Sequence, residues 1–283
     1  MISMKDDHPV ASPELAQEFE ATRFVDGFST LRSVFLAREI PYTLFVNDDE
    51  ILSISTLPTH LEELFIGFLV SEGVLIELSE IVHLRVDRGS RIVSLEINAP
   101  EDRLDRIRKK GMLTSGCAGG VTFSVETALK YVPKHGPRIT ISADAISKRM
   151  KEVDSYRGIY SLTRGTHAAA IASRGETAPI LEDIGRHNAI DKVIGYCFMN
   201  QIHTDDKILL TTGRITSEAV SKAVRAGFPI IVSRSSASAT AVSMAMQAGL
   251  DVVTYARAGR FNLFSHGATQ ITPRISDETD ISF

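Results

Sequence analysis

Residues 207–255 read KILLTTGRITSEAVSKAVRAGFPIIVSRSSASATAVSMAMQAGLDVVTY. The segments 207–211, 229–233 and 251–255 are short, apolar and rich in β-branched residues, as buried strands are. Between them, 217–226 and 239–248 carry helical patterns. Strands alternating with short helices at this spacing predict a βαβαβ unit on a parallel sheet, and so an α/β fold.

Ligands of parallel sheets bind beyond the carboxyl ends of the strands. Here those ends carry Thr212-Gly213-Arg214, Arg234-Ser235-Ser236 and Arg257-Ala258-Gly259-Arg260. Each sets a cation beside Gly or Ser, and two of them open helices, whose free amides attract anions. Arginine forks suit phosphate oxygens and glycine lets the backbone come close. Any one of these loops is explained by helix capping and solvated arginines. The three together point to a phosphate or pyrophosphate site. No Gly-x-Gly-x-x-Gly and no Gly-x-x-x-x-Gly-Lys-Ser/Thr is present, which argues against an ordinary dehydrogenase or nucleoside triphosphatase.

Toward the N-terminus, residues 1–22 are polar and aperiodic, as expected of a disordered tail. From 23 to 46 the pattern is β-like, with Tyr42, Leu44 and Val46 alternating against Thr43 and Phe45. A helix is expected from Pro58 through Val70, with Thr59 as N-cap, Glu62 completing a capping box and Gly73 as stop. Strands over 83–88 and 91–97 and a charged helix over 101–110 complete a small α+β domain, 23–111. Residues 112–121 break every periodicity, and a domain boundary falls there. The α/β domain then occupies 112–283, with helices at 142–152 and 184–198 around a hairpin-like region at 159–181. No internal repeat is apparent.

The 283 residues are 43% hydrophobic and 23% charged, enough to bury a core. A net charge of −4 argues against nucleic-acid and anionic-membrane binding, which need a basic surface. No apolar run is long enough to span a bilayer and no signal peptide precedes residue 20. With two cysteines far apart, Cys117 and Cys197, a disulfide framework is not expected, and a reduced cytoplasmic setting fits.

Cys117 lies in Thr114-Ser115-Gly116-Cys117-Ala118-Gly119-Gly120, whose amides could stabilise a thiolate. A small buried cysteine in a turn is the alternative. Cys197, inside an apolar run, reads as core. In Glu182-Asp183-Ile184-Gly185-Arg186-His187-Asn188-Ala189-Ile190-Asp191-Lys192, residues Asp183, His187 and Asp191 recur at helical spacing, predicting a polar stripe that His167 could approach. A capped helix explains that spacing equally well. No metal is expected, since a second soft ligand is missing.

Several of these stretches together resemble the formate dehydrogenase accessory sulfurtransferase family, FdhD. They are Glu39-Ile40-Pro41 with Val46-Asn47, Leu64 to Leu69 running into Ser71-Glu72-Gly73, the Cys117 loop, Gly165-Thr166-His167-Ala168-Ala169, the Glu182-to-Lys192 stretch, Gly213-Arg214 with Ser217-Glu218, and Ala256 to Asn262. The resemblance spans residues 30–265. It implies a cytidine-deaminase-like C-terminal domain after a smaller one, commonly in a homodimer. It also implies a sulfur carrier that takes sulfur from a cysteine desulfurase as a persulfide on Cys117. That sulfur would pass to the molybdenum bis-guanine-dinucleotide cofactor (bis-molybdopterin guanine dinucleotide), bound as substrate and destined for formate dehydrogenase.

The family's cofactor-binding stretch maps onto Tyr255, Ala256, Arg257, Ala258, Gly259 and Arg260. Gly213, Arg214 and Ser235 from the other strand ends, with His167, Arg186 and His187, are further candidates. One departure is plain: many members carry a Cys-x-x-Cys pair where this chain has Cys117 followed by Ala118, Gly119 and Gly120. That leaves a non-catalytic cofactor chaperone as the alternative. A zinc nucleobase deaminase is excluded, because His167 is followed by two alanines and no cysteine pair exists.

Overall fold

The computed structural model describes residues 14–108, 139–173, 176–264 and 269–273. They fall into two compact units interleaved in sequence: Met1–Thr122, Ser155–Ala169 and Ile180–Ile202 in the first; Phe123–Asp154, Ala170–Pro179 and His203–Phe283 in the second. The division differs from the 23–111 and 112–283 split expected from sequence. Segments 155–169 and 180–202 group with the N-terminal unit because their apolar and buried polar side chains pack there.

In the first unit, β1 (Ala16–Val25) and β2 (Phe28–Ala37) form an antiparallel ribbon. The expected tail over 1–22 is therefore corrected for residues 16–22, which are strand. Their charge and lack of alternation follow from exposure of both ribbon faces. A four-stranded sheet has β3 (Ile40–Val46) and β4 (Asp49–Thr56) antiparallel, β3 parallel to β6 (Ile92–Ile97), and β5 (Ile81–Asp87) antiparallel to β6. Tyr42, Leu44 and Val46 point inward, as their alternation predicts. Helix α2 (Glu101–Arg108) follows.

Helix α1 (Leu61–Ser71) is buried nearly all round and packs on α5 (Arg186–Met199). The expected cap is corrected: His60 is the N-cap, no side chain caps the helix, and the Thr59 hydroxyl instead accepts from Lys192 Nζ at 3.4 Å. The stop at Gly73 holds; its φ is 71°. Leu64, Phe65 and Leu69 join Leu44, Val93 and Leu95 in one core, each buried side chain contributing about 1.5–3 kcal/mol.

In the second unit, β7 (Ile139–Ser142) pairs in parallel with β14 (Thr269–Thr272) and leads into α3 (Ala143–Ser155). The region expected as a hairpin begins with a short helix, α4 (Ile159–Thr163), before β8 (His167–Ala172) and β9 (Thr177–Asp183); these two strands contribute residues to both units. The six-stranded sheet has the order β13-β12-β11-β10-β8-β9. Strands β10 (Ile208–Thr211), β11 (Ile230–Ser233) and β12 (Asp251–Arg257) are parallel, and β13 (Arg260–Phe264) closes antiparallel on β12. With α6 (Ser217–Arg225) and α7 (Ala239–Ala248) between them, this is the expected βαβαβ unit.

This unit contains a repeat that the sequence reading missed. Strand, loop and helix recur with a step of 22 residues: Thr211 pairs with Ser233, Thr216 and Ser238 both cap helices, and Gly227 (φ 83°) and Gly249 (φ 68°) both follow helix ends. The signal lies in Ala219-Val220-Ser221, Ala223 and Ala226-Gly227, matched by Ala241-Val242-Ser243, Ala245 and Ala248-Gly249. It is diluted by the dissimilar loops 212–216 and 234–238.

Candidate functional site

The carboxyl ends of β10, β11 and β12 are tied together by hydrogen bonds. Gly213 N donates to Thr211 Oγ1 (3.1 Å), and in the repeat Ser235 N donates to Ser233 Oγ (2.9 Å). Ser233 Oγ donates to Gly213 O at 2.6 Å, joining the two loops. One step on, Ile215 N donates to Ser236 O (2.9 Å) and Ser238 N to Ile215 O (3.0 Å), so the loops run parallel into their helices. Tyr255 N donates to Ser235 O at 2.9 Å, bringing in the third strand end. Gly213, Ser235 and Tyr255 are thus brought together as the sequence predicts.

The 255–260 stretch is the end of β12 and a tight turn. An extra residue on β12 bulges between Thr254 and Arg257, and Ala258 (φ 52°) and Gly259 (φ 73°) then form a two-residue hairpin of the type that needs two left-handed positions. Arg257 and Arg260 are direct cross-strand partners and both are exposed. Like charges placed so repel unless an anion lies between them. Arg214 is exposed at the head of its loop, whereas Arg234 is engaged by Asp154 at 3.0 Å. Thr216 and Ser238 cap α6 and α7 by accepting from the amides of Ala219 and Ala241, so both helices start at this edge. Cations, helix starts and small residues at a strand edge are the features of an oxyanion site.

Arg186, His187 and His167 belong to the first unit. The expected polar stripe through Asp183, His187 and Asp191 is corrected, because Asp183 ends β9 and the helix starts only at Arg186. Asp183 and Lys192 form a fully buried pair at 2.7 Å. The carboxylate also accepts from the Thr56 hydroxyl, Leu57 N (3.2 Å), Gly185 N (2.8 Å) and Asn188 Nδ2 (2.9 Å). Lys192 Nζ further donates to Leu57 O (3.1 Å) and Glu182 O (3.0 Å). Burial lowers the Lys192 pKa despite the facing carboxylate. Glu182 accepts from Ile159 N (2.6 Å), Tyr160 N (2.9 Å) and the Thr166 hydroxyl (3.1 Å), and Asp191 from the Ser71 hydroxyl (2.7 Å). Most of the motif is thereby committed to structure. Arg186 and His187 remain half-buried at the start of α5, and His167 is half-buried at the start of β8. Cys117 and its loop lie outside the described residues; Cys197 is buried in the core, as expected. Among the described residues no cluster of His, Cys, Asp or Glu could hold a metal ion, and no helix is long and apolar enough to cross a membrane.

A family profile described as FdhD/NarQ matches residues 37–271, most of the chain. The chain belongs to the FdhD/NarQ family. Among its curated relatives, a protein of Bacillus subtilis (strain 168) called sulfur carrier protein FdhD is 32% identical over 231 residues, covering 82% of this chain and 88% of the relative. One of the same name from Staphylococcus aureus (strain MRSA252) is 34% identical over 246 residues, covering 86% and 92%. The crystal structure of a protein described as a formate dehydrogenase accessory protein, from Desulfotalea psychrophila, superposes with a TM-score of 0.73 at 27% identity, covering 89% of this chain and 97% of that one. The mixed α/β architecture is shared with that structure.

Within the FdhD/NarQ match, sequence reasoning missed the Asp183–Lys192 pair. Its one signal is a lysine inside the apolar face of 189–197, a position that demands a buried counter-charge.

Proposed function

We propose that this chain is a sulfur carrier and sulfurtransferase serving formate dehydrogenase; relatives named sulfur carrier protein FdhD and a neighbour described as a formate dehydrogenase accessory protein support the reading. Cys117 accepts sulfur from a cysteine desulfurase: its thiolate attacks the outer sulfur of the donor's persulfide, a new S–S bond forms, and the donor thiolate leaves. Delivery of the terminal sulfur to the molybdenum bis-guanine-dinucleotide cofactor, held as substrate, breaks that S–S bond and restores the Cys117 thiolate, the two electrons that take the sulfur to sulfide coming from an external thiol reductant. The observation that carries the cofactor half is the hydrogen-bonded edge of Gly213, Ser233, Ser235 and Tyr255 with the cross-strand pair Arg257 and Arg260. Such an edge offers fixed donors to the cofactor's phosphates. Gly213, Arg214, Ser235 and residues 255–260 of the second unit are assigned to binding; for Arg186, His187 and His167 of the first unit the assignment rests on the family resemblance alone. The C-terminal part is read as cytidine-deaminase-like, and the protein as a cytoplasmic homodimer. The parallel βαβαβ unit supports the former reading, and the family resemblance both.

A cofactor chaperone that moves no sulfur is the second reading, favoured by the lone cysteine of the 114–120 loop. Formate dehydrogenase activity in cells lacking their own accessory protein separates the two. The carrier reading expects activity restored by the wild type and lost with Cys117→Ala. Full restoration by Cys117→Ala would leave only the chaperone.

A further inference from the structure

The ribbon of β1 and β2 is held only at its base, where Leu15 and Ala37 pack with Leu57 and Ile159. Its two strands pair along their whole length, and among the described residues no third strand joins them. Toward the turn both faces are open: Phe28 through Ser33 are exposed at every position. Phe28 is 79% exposed, Phe24 71% and Leu31 64%. A two-stranded ribbon is marginal in water, and three or more strands are needed to hold one. With Phe19, Val25 and Leu36, these side chains present on the order of 700 Å² of apolar surface, close to the roughly 800 Å² that each partner gives a standard interface.

The two edges of the ribbon are not alike. Strand β1 carries Glu18, Glu20 and Arg23, and charges on an edge strand discourage pairing. Strand β2 reads Phe-Ser-Thr-Leu-Arg-Ser-Val-Phe-Leu-Ala, with Arg32 as its one charge. A long apolar edge of this kind is a template for another strand. A second β2 is complementary to it. Placed antiparallel about a two-fold axis at Thr30 or Leu31, Arg32 comes opposite the partner's Phe28 or Thr30, never opposite another arginine. The new ladder then opposes no like charges, and an arginine beside an aromatic ring or a hydroxyl is favourable.

We propose that the free edge of β2 is where a second copy of this chain adds, making one four-stranded sheet in the order β1-β2-β2-β1 across a two-fold axis. This rests on the homodimer reading and gives it a surface.

The test measures the mass of the full chain by sedimentation equilibrium and crosslinks it at the proposed axis. The wild type is expected to be a dimer. Leu31→Lys should raise the dissociation constant roughly hundred-fold or more, because the two-fold counts each substitution twice. Its circular dichroism should match the wild type, since the side chain is exposed. Glu20→Lys, on the strand away from the axis, should leave the dimer as it is. In a Cys117→Ala background, Thr30→Cys or Leu31→Cys should form an intermolecular disulfide on mild oxidation, because opposed residues of an antiparallel ladder have Cα atoms about 4.5–5.5 Å apart. Equal weakening by Glu20→Lys and Leu31→Lys would overturn edge pairing in favour of contact through the ribbon's faces. A dimer that persists in Leu31→Lys, with no crosslink from either cysteine, would overturn the ribbon as interface and leave the homodimer reading standing. A monomeric wild type would overturn both and leave the ribbon to a protein of different sequence.

Discussion

One carboxylate, that of Asp183, collects five donors: the Thr56 hydroxyl, Leu57 N, Lys192 Nζ, Gly185 N and Asn188 Nδ2. Removing it leaves a buried ammonium without a counter-charge, so Asp183→Ala should cost about 3–5 kcal/mol in urea unfolding. The double variant with Lys192→Met should recover a large part of that loss. A single variant within 1 kcal/mol of wild type would show that water reaches the pair. The opposite holds at Arg260: removing one of two facing cations should leave stability unchanged or raise it by about 0.2–1 kcal/mol, while pyrophosphate binding weakens. A loss of stability in Arg260→Ala would mean that the pair is structural. At this scale the sequence showed residue types but not their partners. Asp183 and Asp191 sit eight apart, a helical multiple, yet one ends a strand. Spacing alone could not separate them, because a chain reversal at Ile184-Gly185 lies between.

At the scale of elements, the crossing of α1 and α5 turns on two glycines. A methyl on Gly67 would lie 1.8 Å from Asp191 O, and one on Gly195 would lie 1.9 Å from Glu63 O. The helices therefore touch backbone to backbone. Alanine normally favours a helix by about 1 kcal/mol over glycine. Here Gly67→Ala should instead destabilise by about 1–3 kcal/mol or more, since the helices must separate. Thermal unfolding decides the sign. The turn at Glu80 makes a second case. Burial pushes its carboxyl up, but hydrogen bonds from Arg103 and from the amides of Ile76 and Glu77, with the Arg103 charge, bring it below the ordinary range. That contribution is complete above the ordinary glutamate pKa of about 4.3 and is lost as pH falls through the lowered value. Glu80→Gln should be less stable than wild type at neutral pH, and the gap should close in acid. A gap that persists at low pH would refute the assignment. Element types were readable where periodicity was strong, as in 207–255. The capping box at Thr59 was not, because a helix apolar on every side takes its position from packing and Thr59 is claimed by Lys192.

For the molecule as a whole, the interleaving of two units was hidden from a linear reading. The residues that tie 155–169 and 180–202 to the N-terminal unit, Glu182 and Lys192 among them, look in sequence like any charged motif. The strand-end loops were legible because α/β topology fixes where a parallel sheet presents its ligand edge. Their mutual hydrogen bonds needed coordinates. The family resemblance rests on motifs in both units, and the sulfur chemistry assigned to the chain rests on Cys117.

The measurement that bears most directly on that chemistry is intact mass after incubation with a cysteine desulfurase and cysteine, for the wild type beside Cys117→Ala. A gain of one sulfur in the wild type, removed by reductant and missing from the variant, is the expected result. No gain in the wild type, or an equal gain in Cys117→Ala, would contradict the assignment of Cys117 as the sulfur carrier.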